Sequence, residues 1–288
     1  MLVVPAHAKV NLALEVTGRR PDGWHDIASV ICTLDWHDLV GLRLREATGD
    51  DPAALRLTGP FAEGVPTDAG NLAARAAALL LDAAGARGVT FDIWLSKQLP
   101  AAAGLGGGSA DAAAVLRAGA ALLHMDRSTL HDLAAQLGSD VPAVLAGGTL
   151  LATGRGEVLR PLPPVDRHLA VAVAGPSVTA AAYAALSDEE RRPTGRTDQL
   201  VAAVQNHDLP PHLLGSALEP AACRAAPGLA DSLARLRATT PGVPWHLTGS
   251  GGAAFAVAAT RPDAERLAHA ARCAGFPARA CRTVGALL

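Results

Sequence analysis

Aromatic residues make up only 3% of the 288-residue chain, with a single tyrosine, Tyr183. A core with so few rings must be built by close packing of helices and sheet, and half of the residues are hydrophobic, many of them alanine. Lysine is scarcer still: Lys9 and Lys97 are the only two among 25 basic residues. Neither therefore belongs to a generic charged face. Charge of one sign is also missing, since the formal balance is -2 and the isoelectric point about 6.5. With the arginines scattered and no basic field, a nucleic-acid-binding role is disfavoured, while a nucleotide-sized partner is still allowed. The four cysteines, Cys32, Cys223, Cys273 and Cys281, form no C-x-x-C pair or zinc spacing. They read as ordinary buried thiols in a reducing compartment. The opening "MLVVPAHAK" has neither a basic leader nor an apolar core, and Arg75 interrupts the most apolar helix well short of a membrane span. The cytoplasm is the expected location, with no membrane partner.

What is present is a mixed α and β pattern, long enough for two moderate domains sharing a cleft. In "KVNLALEV", Val10, Leu12, Leu14 and Val16 alternate with Lys9, Asn11, Ala13 and Glu15, as in a half-buried strand. Lys9 and Asn11 then share a face. The turn "RRPDGWH" follows, and "DLVGLRLRE" predicts a second strand. "NLAARAAALLLDAAG" predicts a helix with Asn71 near its start and Gly85 at its C-cap. "GVTFDIWLSKQLP" returns to a strand. Helices are expected over about 109–124 and 128–137, after which "GSDVPAVLAGGTLLATGRGE" breaks the pattern with glycine and proline. Pro161, Pro163 and Pro164 in "RPLPPVDRH" mark a stiff linker, which divides the chain into 1–163 and 164–288. Beyond it, "LAVAVAG", "GGAAFAVAAT" and "ARACRTV" predict strands, and "GLADSLARLRA" and "PDAERLAHAARCAG" predict helices.

The densest feature is "LPAAAGLGGGSADAA" at residues 99–113, where Gly104, Gly106, Gly107 and Gly108 surround Leu105 and lead into an alanine-rich helix. No lysine follows as a P-loop requires, and Ser109 stands where a dinucleotide fingerprint needs its last glycine. The shared physics survives. Bare backbone N–H groups at a helix N-terminus attract phosphate oxygens, although a flexible connection also uses glycine.

Three stretches, "AKVNLALEVTGRRPDGWHDI", "LPAAAGLGGGSADAA" and "LTGSGGAAFAV", in that order and spread over nearly the whole chain, together resemble the GHMP small-molecule kinase superfamily. R-R-x-D-G-x-H after the lysine strand, and the G-L-G-G-G-S form of the loop, are similar to its branch acting on a cytidyl-methylerythritol in non-mevalonate isoprenoid synthesis. "NLAARAA", "LGSDVP" and "GRGEVL" fall at the expected places between them. The resemblance implies a two-domain α+β fold with the active site in the cleft between the domains. It implies transfer of the ATP γ-phosphoryl group, with magnesium, to a tertiary hydroxyl of the methylerythritol portion. Alternatives are another GHMP kinase, of homoserine or mevalonate type, or a non-catalytic nucleotide-binding relative. Monomer and homodimer are both open.

Such transfer depends on alignment and charge stabilisation, with a carboxylate to accept or orient the hydroxyl proton. Asp140 matches the family base, although an aspartate before Val141-Pro142 is also a natural helix N-cap. Lys9 matches the lysine beside it, where an ammonium stabilises developing negative charge. Asn11 is placed to hold substrate hydroxyls, His25 to bond the cytosine edge and Trp24 to supply a stacking face. Trp24 stands where the family usually has tyrosine, and His7 where it usually has proline. Thr179 and Tyr183 fall where the family places a polar contact and a second wall of the cytidyl pocket. On the ATP side the resemblance points to Asn71, Lys97 and the loop Gly104, Leu105, Gly106, Gly107, Gly108 and Ser109. Lys97 pairs with phosphate or ends its strand, and Ser109 serves as N-cap, phosphate donor or magnesium contact. No metal ligand is assigned. The turn at Gly249, Ser250 and Gly251 reads either as a cleft-facing turn or as a hairpin.

Overall fold

The first strand runs well beyond the expected 9–16. In the computed structural model, which describes residues 1–47, 53–176 and 179–288, β1 covers Leu2–Arg19. It turns through 20–24 into β2, His25–Glu46, and the two pair antiparallel along nearly their whole length. Both faces of β1 are covered, so Lys9, Asn11 and Glu15 are buried along with Val10, Leu12 and Leu14. The half-buried strand expected from alternation is therefore a fully buried one. Alternation records polarity, and here the polar face is buried against functional partners.

The order continues with β3 (Ala54–Thr58), α1 (Leu72–Ala83), β4 (Val89–Ser96), α2 (Gly107–Leu122) and α3 (Leu130–Leu137). Next come α4 (Val141–Ala146), β5 (Thr149–Gly154) and β6 (Val158–Pro161). The glycine- and proline-rich stretch read as a break in the pattern thus contains α4 and β5. Pro142 opens α4, and Gly147 and Gly148, both at positive φ, turn the chain into β5. The later elements are β7 (His168–Val173), α5 (Thr179–Ala184), α6 (Arg196–Gln205), β8 (Gly215–Ser216) and α7 (Glu219–Ala225). Last are α8 (Leu229–Ala238), β9 (His246–Leu247), β10 (Ala253–Ala258), α9 (Arg261–Cys273) and β11 (Ala278–Arg282).

Among the described residues, one sheet has the order β3-β4-β2-β1-β8, with β5 joined to β2 and β6 to β5. The second has the order β11-β7-β10-β9. On one face of the first sheet, Leu42, Phe91 and Ile93 pack under the alanine-rich α1 and α2. A Cβ on Gly119 of α2 would stand 2.6 Å from Leu80 Cδ1, so the small residues let these helices approach closely. On the opposite face, Val10, Leu12, Leu34 and Trp36 meet Leu169, Val171 and Phe255 of the second sheet. Leu233, Leu236, Trp245 and Leu267 form the core between that sheet and α8 and α9. Cys32 and Cys281 are buried as expected, whereas Cys223 is half-buried and Cys273 exposed. Among the described residues, no helix is long and apolar enough to cross a membrane.

Candidate active site

The glycine loop enters α2 two residues before the expected start. Gly106 is the N-cap, at φ +72° and with no side-chain cap, so Ser109 is not the N-cap but lies inside the first turn. The first-turn N–H groups of α2 consequently face outward with no capping oxygen. Gly104 is also left-handed, at φ +76°, and a Cβ there would stand 2.2 Å from the carbonyl oxygen of Gly251. The loop is thus docked backbone to backbone on the 248–252 turn, which supplies the role that the Gly249 to Gly251 stretch left open. Leu105 buries its side chain, while its carbonyl accepts from Lys9 N at 3.0 Å.

That bond ties the loop to the lysine strand. Lys9 Nζ donates to Asn11 Oδ1 at 2.8 Å and lies 3.2 Å from Asp140 Oδ2. Asn11 Nδ2 donates in turn to Ser29 Oγ at 2.7 Å, and Thr248 Oγ1 accepts from Asn11 N. These bonds fix the amide so that its oxygen faces the ammonium. Asn11 therefore positions Lys9, and one lone pair and one N–H are left for a substrate hydroxyl. Asp140 occupies the N-cap position of α4, but its backbone is helical (φ −83°, ψ −18°) and its side chain makes no cap bond. The capping use is thereby excluded, and the carboxylate is free to face Lys9. A register shift between Asn11 and Ala13 inverts the alternation, so that Leu14, predicted opposite Asn11, joins it on the cavity wall.

Two cavities meet here. One, of about 410 Å³, is lined by Asn71, Lys97, the 99–109 loop and Asp111. The other, of about 660 Å³, is lined by Lys9, Asn11, Trp24, His25, Asp140 and Tyr183. Gly104, Ser109 and Thr179 belong to both walls, so the glycine loop separates two adjoining chambers, the larger of which holds the Lys9–Asp140 pair. Thr179 Oγ1 and Ser250 Oγ are hydrogen-bonded at 2.7 Å. The His25 and Tyr183 rings stack with centroids 5.3 Å apart. His25 Nε2 is buried without a hydrogen-bond partner among the described residues, and burial, with Arg191 and Arg19 nearby, holds the imidazole below its ordinary pKa. Burial and the charge of Asp140 push the Tyr183 phenol up. Trp24 is 54% exposed and lies under the Arg155 guanidinium, 5.0 Å from the ring centroid.

On the other wall, Asn71 does cap α1: Oδ1 accepts from Ala73 N at 2.9 Å and Nδ2 donates to Pro66 O at 2.7 Å. Gly85 follows the observed C-cap, Ala84, in a left-handed conformation. Lys97 lies one residue beyond β4, with its ammonium buried between Asp38 and Asp111. Burial opposes that charge, but Asp111 and Asp38 outweigh it and raise the lysine above its ordinary value. Burial in turn lifts the Asp111 carboxyl, against the opposing pull of Lys97. Asp38, Asp111, Ser29 and Thr248 were not singled out in the sequence. The signal for Asp38 and Asp111 was the scarcity of lysine, because a buried lysine needs a buried carboxylate. Among the described residues, no group of three or more His, Cys, Asp or Glu is arranged to hold a metal.

The family profile described as "GHMP kinases N terminal domain" matches residues 71–148, which hold α1, the glycine loop and Asp140. A 4-diphosphocytidyl-2-C-methyl-D-erythritol kinase of Exiguobacterium sibiricum is 38% identical over 281 residues, 94% of this chain and 94% of its own. The chain belongs to this kinase family, within the GHMP kinases. A solved 4-(cytidine 5'-diphospho)-2C-methyl-D-erythritol kinase superposes with a TM-score of 0.78 at 36% identity, covering 99% of this chain and all of its own. A homoserine kinase from Cytophaga hutchinsonii reaches a TM-score of 0.70 over 89% of each chain at 20% identity, a likeness of fold alone. The fold is the α+β, two-domain GHMP kinase fold. The chain is an enzyme, a phosphotransferase of the GHMP kinase class.

Proposed function

We propose that this chain transfers the γ-phosphoryl group of ATP to the 2-hydroxyl of 4-diphosphocytidyl-2-C-methyl-D-erythritol, giving the 2-phosphate. The observation that carries this reading is the Lys9–Asp140 contact of 3.2 Å in one of two cavities joined at a shared glycine-loop wall. A donor and an acceptor bound in separate chambers would meet at that junction, which is the alignment phosphoryl transfer needs.

In the acceptor chamber, Asp140 takes the hydroxyl proton as the oxygen attacks, and Lys9 stabilises the negative charge developing there. Asn11 holds Lys9 and offers its remaining donor and acceptor to the sugar alcohol. His25, kept neutral by burial and nearby arginines, presents an unpaired ring nitrogen to the cytosine edge. Tyr183 and Trp24 supply ring surface, and Thr179 a hydroxyl. In the donor chamber, Asn71 and the loop from Gly104 to Ser109 hold the nucleotide, with the uncapped N–H groups of α2 toward its phosphates. Lys97 acts there through the cluster that anchors the loop. Magnesium, when bound with the nucleotide, screens the phosphate charge and polarises the transferred group. We place the domain boundary at 163/164, in the connection between β6 and β7. The short β8 returns from the second unit to pair with β1. The reaction belongs in the cytoplasm, where its nucleotide donor is held.

A coupled ADP-release assay with magnesium ATP tests the reading, with the cytidyl compound as acceptor and homoserine and mevalonate as controls. Turnover with the cytidyl compound alone is expected. Turnover with a control instead would move the chain to another branch, and ATP binding with no turnover would mark a non-catalytic relative.

A further inference from the structure

Outside the Lys9–Asp140 pair, the cluster of buried charge around Lys97 has so far been given only the anchoring of the loop. Asp38, Lys97 and Asp111 are all at least 90% buried, with two carboxylates around one ammonium. Asp38 is fully satisfied: Oδ2 accepts from Lys97 Nζ, and Oδ1 accepts from Gln98 N at 2.5 Å and Leu99 N at 2.7 Å. Asp111 is not. Its Oδ2 accepts from Lys97 Nζ at 2.5 Å, while Oδ1 is buried with no hydrogen-bond partner among the described residues. Asp111 and Ser109 both line the cavity that the glycine loop walls, and a Cβ on Gly107 would stand 3.8 Å from Lys97 Nζ. The cluster therefore sits beside the N-terminus of α2.

An unpartnered buried carboxylate oxygen carries a desolvation cost. With both aspartates ionised the cluster also has one net negative charge, on the wall of a chamber suited to a polyphosphate anion. A cation arriving with the nucleotide answers both problems. We propose that Asp111 Oδ1 is a protein ligand of the divalent cation that enters with ATP, with Lys97 and Asp38 acting as positioning residues. This rests on the nucleotide reading of the cavity. Magnesium at nucleotide sites takes one or two carboxylates and completes its octahedron with phosphate oxygens and water, so no protein cage is required. A ligating carboxylate is ordinarily held by a hydrogen bond to its other oxygen, which is the part Lys97 plays.

The test measures binding of a non-hydrolysable ATP analogue to the full chain and to Asp111→Asn, without divalent ion and with manganese read by electron paramagnetic resonance. Manganese affinity of the enzyme–analogue complex is expected to fall at least about tenfold in the variant. Metal-free binding of the analogue is expected to be unchanged or tighter, because a negative charge is removed. Equal weakening under both conditions, or unchanged manganese affinity, overturns the assignment. Should Asp111→Asn not fold, iron(II) in place of magnesium with ascorbate and peroxide cuts the wild-type chain next to its metal ligands. Cleavage around 109–111 supports the proposal and cleavage elsewhere alone overturns it. Failure of the wild type to bind the analogue under any condition would instead remove the nucleotide reading itself.

Discussion

Lys9 Nζ stands 3.2 Å from Asp140 Oδ2, the lysine 6% exposed on β1 and the aspartate 44% exposed at the start of α4. The asymmetry fits a division of labour. The buried lysine is fixed by Asn11, while the half-open carboxylate can receive a proton from a bound hydroxyl. Because Asp140 makes no cap bond, Asp140→Asn removes a base without removing a helix cap. Turnover is expected to fall by about 10²–10⁴-fold, the usual span for general base catalysis. The ATP Michaelis constant and the melting temperature should stay near wild type. Unchanged turnover would remove Asp140 from the base role.

Glu15 shows a different use of a buried carboxylate. It is 3% exposed on β1 and joins the first sheet to the start of α6. Oε1 accepts from Thr194 N and Oγ1 at 2.7 Å, and Oε2 from Thr197 N at 2.6 Å. Burial alone lifts its carboxyl, but these bonds from Thr197 and Thr194 outweigh burial and bring it down to about 2 from the ordinary 4.5. A depressed value means that the stabilisation is complete above about pH 4.5 and is lost as pH falls through about 2. Glu15→Gln is therefore expected to destabilise the chain at pH 7 by about 1.5–3 kcal/mol, the worth of a hydrogen bond to a charged group. Urea unfolding at pH 7 and near pH 2 checks this: the gap between variant and wild type should narrow in acid. A constant gap would mean that the charge is not what matters.

The glycines of the loop separate into two kinds. A Cβ on Gly104 meets the Gly251 carbonyl at 2.2 Å, and its φ of +76° is left-handed. That conformation alone costs an ordinary residue about 1–2 kcal/mol, and a backbone carbonyl cannot swing aside. Gly104→Ala should lower the melting temperature and raise the ATP Michaelis constant together. A Cβ on Gly108 meets nothing nearer than Leu72 Cδ1, at 3.8 Å. Gly108→Ala should leave the melting temperature unchanged and still raise the ATP Michaelis constant, because the added methyl faces the cavity. If neither property moves in Gly108→Ala, the bare backbone there does not serve a ligand.

Much of this arrangement was legible because its signals are local. Period-two alternation placed Lys9 and Asn11 on one face, the apolar run after Asn71 located α1, and the glycine cluster marked the mouth of α2. The partners that complete the site were not legible, since pairing over long sequence separations leaves no local trace. Ser29 and Thr248 reach Asn11 through strand register and a turn of the second unit, and Asp38 reaches Lys97 across two strands. Leu14 was assigned to the wrong face for a related reason. A bulge inverts alternation, and nothing in "NLALEV" announces it. Short elements such as β8 and β9 have too few residues to carry a period at all.

Trp24 gives the sharpest test of the cytidyl chamber because it has little to do for the fold. It lies in the turn between β1 and β2, 54% exposed, with its backbone N donating to Asp22 Oδ1 at 3.1 Å and Arg155 over its ring. An exposed cation–π pair contributes about 0.5–1 kcal/mol, so Trp24→Ala should change stability only slightly. Its effect should fall on binding instead. The Michaelis constant for the cytidyl substrate is expected to rise much more than that for ATP, since the ring lines the chamber of Lys9 and Asp140 and not that of Asn71 and Lys97. Trp24→Tyr, which restores the residue usual in the family, should bind the cytidyl substrate far better than the alanine variant. Steady-state kinetics with each substrate varied in turn decides it. Equal rises in both constants would make Trp24 a support of the hairpin and would leave the stacking face opposite Tyr183 to another residue.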